Sequence, residues 1–166
     1  MTQTTKFLAL LGALLMPLAA FSQDAAPGTL QARETPWQVT CEPVAEGGTL
    51  ACAMAKNLTL STDNSLLAQA SVLPDGDGYL LRILAPHGLL LSDGLTLSVD
   101  GNMVARPAFR TSLPAGVTAL VPLTPELIAA LGTGEALTIT ATQNNAATFT
   151  FQMTLTGFSA SLAKLK

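Results

Sequence analysis

The sequence predicts an all-β fold, an immunoglobulin-like β-sandwich with one short connecting helix, and three observations carry that prediction. Short segments alternate apolar and polar residues with a period of two, tight-turn dipeptides separate them, and a single stretch bears the start and stop signals of a helix. Each alternating strand has one apolar face, and one short helix cannot cover those faces, so a second sheet must. About seven strands or slightly more, in two packed layers, suit this length. A small closed β-barrel is the alternative solution.

The elements follow in order. Met1 to Lys6 carry positive charge, Phe7 to Leu18 form a short apolar run, and Ala20-Phe21-Ser22 is a small-x-small cleavage site, which predicts a signal peptide over residues 1–22. The apolar run is about a dozen residues where a membrane span needs about 20, and no later stretch is longer, so no transmembrane segment is expected in the mature chain. No cysteine follows the run to accept a lipid. The expected location is therefore periplasmic or secreted. Residues 23–36 are rich in Ala, Gly, Pro and polar side chains without periodicity, which predicts a flexible mature N-terminus ending at Pro36 and a folded domain over 37–166.

Trp37-Gln38-Val39-Thr40-Cys41 and Leu50-Ala51-Cys52-Ala53-Met54 alternate around the turn signal Glu46-Gly47-Gly48, a hairpin with Cys41 opposite Cys52. Two cysteines in an exported chain predict one disulfide, with both sulfurs on the face of Trp37 and Val39. Tyr79 to Ala85, broken only by Arg82 and preceded by Pro74-Asp75-Gly76-Asp77-Gly78, reads as a central strand. Leu95 to Val99 alternates strictly into Asp100-Gly101, a tight turn before Met103 to Arg106. Thr124 as N-cap, Pro125 at the first helical position, Glu126 in the first turn and Gly132 as the stop define the short helix. Leu137 to Thr142 and Thr148 to Thr156 alternate around Asn144-Asn145, with Phe149, Phe151, Met153 and Leu155 on one face.

Composition narrows the function. The chain is 49% hydrophobic and only 11% charged, so its surface rests on Thr, Ser, Asn, Gln and Gly. Loss of the leader with Lys6 leaves seven basic and eleven acidic residues, a net charge of −4. Such a chain has no basic face to neutralise phosphates, which argues against nucleic acid as a partner.

No nucleophile elbow, His-x-x-x-His pair or C-x2-C spacing occurs. The one histidine, His87, sits in Ala85-Pro86-His87-Gly88, where a surface turn is expected. Asp75-Gly76-Asp77-Gly78 resembles the opening of a calcium loop but lacks the later acidic ligands, so turn chemistry explains it. Glu42, Glu46, Asp93, Asp100, Glu126 and Glu135 are dispersed through turns, without a visible acid/base pair. No cofactor, metal site or catalytic residue is expected.

Three blocks resemble the invasion-associated locus B proteins of Gram-negative bacteria. They are Trp37-Gln38-Val39-Thr40-Cys41 with Cys52, the stretch Ala85-Pro86-His87-Gly88-Leu89-Leu90-Leu91-Ser92-Asp93-Gly94 running on to Val99-Asp100, and Leu155-Thr156-Gly157-Phe158-Ser159-Ala160. The resemblance implies an immunoglobulin-like sandwich and an exported protein, linked in some relatives to host-cell entry. It also implies a second cysteine pair spaced Cys-x4-Cys, whose places here are Ser112 and Val117, so that bridge is absent. The expected function is a non-catalytic envelope or secreted protein that binds an unknown protein or envelope component, with Pro86, His87 and Gly88 as the candidate partner-binding loop. A structural or stress-related periplasmic factor is the second reading. A hydrolase using His87 with an acid brought close by folding is the third.

Overall fold

The computed structural model describes residues 32–43 and 50–165. The expected leader and the Glu46-Gly47-Gly48 turn lie outside the described residues. Within them the chain forms eleven strands and two short helices. The strands are β1 (Ala32–Glu34), β2 (Gln38–Pro43), β3 (Leu50–Leu60), β4 (Leu66–Asp75), β5 (Gly78–Ala85), β6 (Leu95–Val99), β7 (Asn102–Ala105), β8 (Phe109–Leu113), β9 (Gly116–Pro122), β10 (Ala136–Thr142) and β11 (Thr148–Thr154). Helix α1 (Pro125–Thr133) joins β9 to β10, and α2 (Phe158–Leu162) follows β11 and runs into a 3-10 turn at Ala163–Leu165.

Two antiparallel sheets result. The larger has the order β1-β3-β4-β5-β9-β8, with β2 also on the β3 edge, and the smaller has the order β11-β10-β6-β7. No ladder among the described residues joins them into a barrel, so the sandwich expectation holds and the alternative falls away. Their facing sides bury one apolar core that includes Met54, Val72, Leu81, Ile83, Leu97, Leu137, Ile139 and Met153. Strand β5 lies between β4 and β9, central as its apolar run predicts.

Four differences from the sequence reading have physical causes. Ala32–Glu34, which fall in the segment expected to be flexible, form β1 and pair with the end of β3 (Ala32↔Leu60, Glu34↔Leu58), while residues 23–31 of that segment lie outside the described residues. The described residues form eleven strands where about seven or slightly more are expected, in part because β4 and β9 carry weak alternation: Ala68, Ala70, Ser71 and Val72 are all buried in β4, and Gly116 to Ala119 in β9. Helix α1 runs over the expected stop at Gly132 and ends on Gly134, whose N–H donates to Ala130 O at 2.9 Å. A second helix, α2, begins at Gly157 without a side-chain cap, so it offers no N-terminal signal to read.

The start of α1 is built as expected, Thr124 Oγ1 accepting the Leu127 N–H at 3.3 Å and Pro125 opening the helix. Leu127 and Leu131 face the core. Phe158 of α2 is buried edge-on against Trp37, with ring centroids 5.4 Å apart. These two helices close one end of the sandwich.

Beyond that end β2 and the first residues of β3 form a two-stranded ribbon, since the β3–β4 ladder starts only at Met54↔Val72. Cys41 and Cys52 are directly opposite in it and bonded, with Cα atoms 4.0 Å apart. Cys41 is exposed and Cys52 half-buried, so the bridge holds the ribbon rather than the core.

The seam between β1 of the larger sheet and β11 of the smaller is closed by an ion pair. Lys56, on the inward face of β3 between Met54 and Leu58, is only 3% exposed and sits 2.9 Å from Glu34 Oε2. Its ammonium also donates to Thr154 O at 2.9 Å and Thr154 Oγ1 at 2.6 Å. Glu34 in turn accepts the Thr154 N–H and hydroxyl. Partial burial raises the Glu34 pKa, but the Lys56 ammonium and the Thr154 donors outweigh it and hold the carboxyl below its ordinary value.

Candidate interaction surface

Opposite the helical end, the chain leaves β5 at Ala85 and crosses to β6 through residues 86–94, the stretch that contains the candidate loop. Four backbone hydrogen bonds rivet it or its ends. Asn144 N–H donates to Gly88 O (2.9 Å), Leu90 N–H to Thr142 O (2.8 Å), Asp93 N–H to Leu90 O (3.3 Å) and Leu95 N–H to Pro107 O (2.9 Å). Leu89 inserts into the core, and it bridges Gln143 beyond the end of β10. Gly94 has φ of +66°, and a Cβ there would stand 2.5 Å from Pro107 O, so the Asp93-Gly94 dipeptide answers a close backbone approach.

With its backbone fixed, the loop presents His87, Leu91, Ser92 and Asp93 to solvent. His87 is exposed, with its Nε2 3.4 Å from Pro114 O in the β8–β9 turn. That carbonyl is the one hydrogen-bonding partner of the imidazole among the described residues; no carboxylate or hydroxyl reaches it. Leu91 is 56% exposed. It borders a small pocket of about 160 Å³ that includes Phe109, Arg110, Ser112 and Val117. Ser112 and Val117, the places of the missing cysteine pair, are register partners across β8 and β9. On the other flank, Asp93, Thr96, Arg106, Thr140 and Thr142 line a polar groove of about 440 Å³. Arg106 Nε donates there to Thr96 Oγ1 at 3.3 Å, and Asp93 accepts the Ser92 hydroxyl at 2.9 Å.

Asp75-Gly76-Asp77-Gly78 is the tight turn of the β4–β5 hairpin, with Asp75↔Gly78 its last pair. Among the described residues no three His, Cys, Asp or Glu side chains gather as a metal site would require. Two polar constellations escaped the sequence reading. One is the Glu34–Lys56–Thr154 cluster; its readable signal is a lysine at an apolar period-two position, Met54-x-Lys56-x-Leu58. The other is Asp100, whose carboxylate accepts the N–H groups of Glu135 (3.0 Å) and Ala136 (2.9 Å) and so fixes the start of β10. Nothing local marks that role, since the partners lie 35 and 36 residues away.

Fold and surface together place the chain among small two-sheet all-β proteins that display an anchored crossover loop. The family follows from comparison: residues 37–166 match the model of the invasion associated locus B (IalB) proteins, and the chain belongs to that family. Two invasion protein B homologues of Brucella abortus, from strain 2308 and from biovar 1 strain 9-941, are each 30% identical over 159 residues, covering 92% of this chain and 89% of the relative. The crystal structure of invasion associated protein B from Bartonella henselae superposes with a TM-score of 0.68 at 26% identity, covering 78% of this chain and 89% of that one.

Proposed function

We propose that this IalB-family chain is a non-catalytic protein of the cell envelope or its exterior that acts by binding a partner through the crossover loop. The observation that carries the reading is the loop itself: a segment held by main-chain bonds to the end of β10 at Thr142 and Asn144 and, at its exit, to Pro107, with His87, Leu91, Ser92 and Asp93 exposed. A rigid loop loses little conformational entropy on binding, and an exposed leucine beside a pocket offers an anchor. The names of the relatives refer to invasion and to no enzymatic activity. His87 as placed has a backbone carbonyl for company, which orients no general base. Export through a signal peptide cleaved after Ser22 fits the charged start, the short apolar run and a disulfide in the ribbon.

The test is a pull-down from envelope extract and from host-cell surface extract with the wild type and Leu91→Asp. The reading expects a component retained by the wild type and lost with the variant while the circular-dichroism spectrum is unchanged. Equal capture by both proteins would place binding elsewhere. Intact-mass analysis of the exported protein tests the cleavage site, with a mature start at Gln23 expected.

A further inference from the structure

Five strands form the free edges of the two sheets among the described residues: β1, β2 and β8 in the larger, β7 and β11 in the smaller. Soluble β proteins blunt such edges with short strands, charges, prolines or bulges. Four of the five are blunted here. Strand β1 has three residues, β2 ends in Glu42 and Pro43, β7 has four residues opposite a register shift, and β8 carries Arg110 and a register shift of its own. Strand β11 differs from all of them: its seven residues, Thr148-Phe149-Thr150-Phe151-Gln152-Met153-Thr154, include no charge and no proline, and its pairing with β10 is unbroken.

The direction of its free backbone groups follows from two observations. Leu155 N–H donates to Glu135 O on the β10 side, whereas Thr154 N–H and C=O point the other way, to Glu34 and Lys56. By alternation, Thr148, Thr150 and Gln152 also direct their N–H and C=O groups off the sheet. The ion pair therefore stands in for a neighbouring strand at Thr154 alone. Beside Thr150 and Gln152 lies a groove of about 450 Å³, walled by Ala32 and Glu34 of β1 and by Leu58, Leu67, Phe149 and Phe151.

We propose that this edge is a homodimer interface, at which β11 of a second copy adds antiparallel about a two-fold axis through Thr150. The spacing is self-complementary. Residues 148, 150 and 152 present both backbone groups outward, so an axis at Thr150 pairs Thr148 with Gln152 of the second copy and Thr150 with its own equivalent, exchanging about six hydrogen bonds. The outer face of the added strand is Thr and Gln on both sides, with no like charges brought together. Its inner face delivers Phe149 of the second copy to the groove beside Leu67. The ion pair at Thr154 limits the pairing to five residues and fixes its register, since a slipped strand would meet the occupied Thr154 groups.

The test uses the full mature chain. Analytical ultracentrifugation from micromolar to millimolar concentration should show a monomer–dimer equilibrium, abolished by Gln152→Lys and by Thr150→Pro, which removes an N–H that the monomer does not use. The Cα atoms of the two Thr150 residues should lie about 5.5 Å apart, inside the disulfide range. Thr150→Cys should accordingly oxidise to a covalent dimer at least about tenfold faster than Asn102→Cys, an exposed site on the opposite edge. A chain that stays monomeric at every concentration, with the two thiols oxidising at equal rates, would overturn the proposal. So would a dimer that survives both edge variants, which places the interface elsewhere. So too would a monomer whose Thr150 and Gln152 amides are protected from exchange, which means another segment covers the edge.

Discussion

Replacing Lys56 by Met tests the seam directly. Methionine matches the lysine stem in volume, so the core around Met54 and Leu58 stays filled and the change isolates the polar head. Three contacts vanish together: the ion pair with Glu34 at 2.9 Å and the bonds to Thr154 O and Oγ1. Removing one partner of a fully buried pair costs about 3–5 kcal/mol, because the other charge is stranded. Glu34 is 26% exposed and can turn to water, which lowers that cost, while the Thr154 carbonyl loses its donor at about 1–3 kcal/mol. The sum of these effects is a loss of about 2–4 kcal/mol. Urea denaturation at pH 7 measures it. In the double variant with Glu34→Met much of the loss should return, giving a coupling of about 1–3 kcal/mol. A Lys56→Met protein within about 0.5 kcal/mol of wild type, the usual band for surface changes, would refute the argument that this seam depends on the pair.

The remaining predictions concern other parts of the fold. The Glu34 carboxyl is held below its ordinary value of 4.5, so its contribution is complete above that pH and is lost as pH falls through the folded value; Glu34→Gln should flatten the acid limb of a stability–pH curve. Cys41→Ser opens a bridge spanning 11 residues in a projecting ribbon, and thermal unfolding should show a loss of about 2–3 kcal/mol with a native fold retained. Gly116→Ala places a Cβ against Ala85 O at φ of +149°, and chemical denaturation should register more than about 2 kcal/mol of destabilisation. His87→Ala should change stability by less than about 0.5 kcal/mol, because the imidazole is exposed and touches one carbonyl.

How much of this was legible depended on the range of the interaction. The hairpins at Cys41/Cys52, Asp100-Gly101 and Asn144-Asn145 and the start of α1 were written in neighbouring residues, where turn chemistry and alternation act over a few positions. Strands β4 and β9 were not, because burial on both faces erases alternation: in β9, Val117, Thr118 and Ala119 are all buried. The Thr150–Gln152 edge depends on which strand lies outermost, a property of topology that strand patterning does not carry. The seam is the extreme case, since Lys56 and Thr154 are 98 residues apart. A lysine on an apolar face announces that some partner exists without saying which. The crossover loop was legible in the sense that Pro86-His87-Gly88 marked a turn. Its anchoring to Thr142 and Asn144, and the exposure of Leu91 beside a pocket, came only with the assembled sheets.

The central claim is that the crossover loop meets a partner. A photo-reactive amino acid placed at Leu91 of the exported protein, with the same probe at Asn102 as a control, tests it most directly. Asn102 is also exposed but lies at the Asp100-Gly101 turn on another edge. Illumination of intact cells, alone and during contact with host cells, is predicted to give a discrete covalent adduct at position 91 that is absent at position 102. Identical adducts at both positions, or none at position 91 in either condition, would contradict the account.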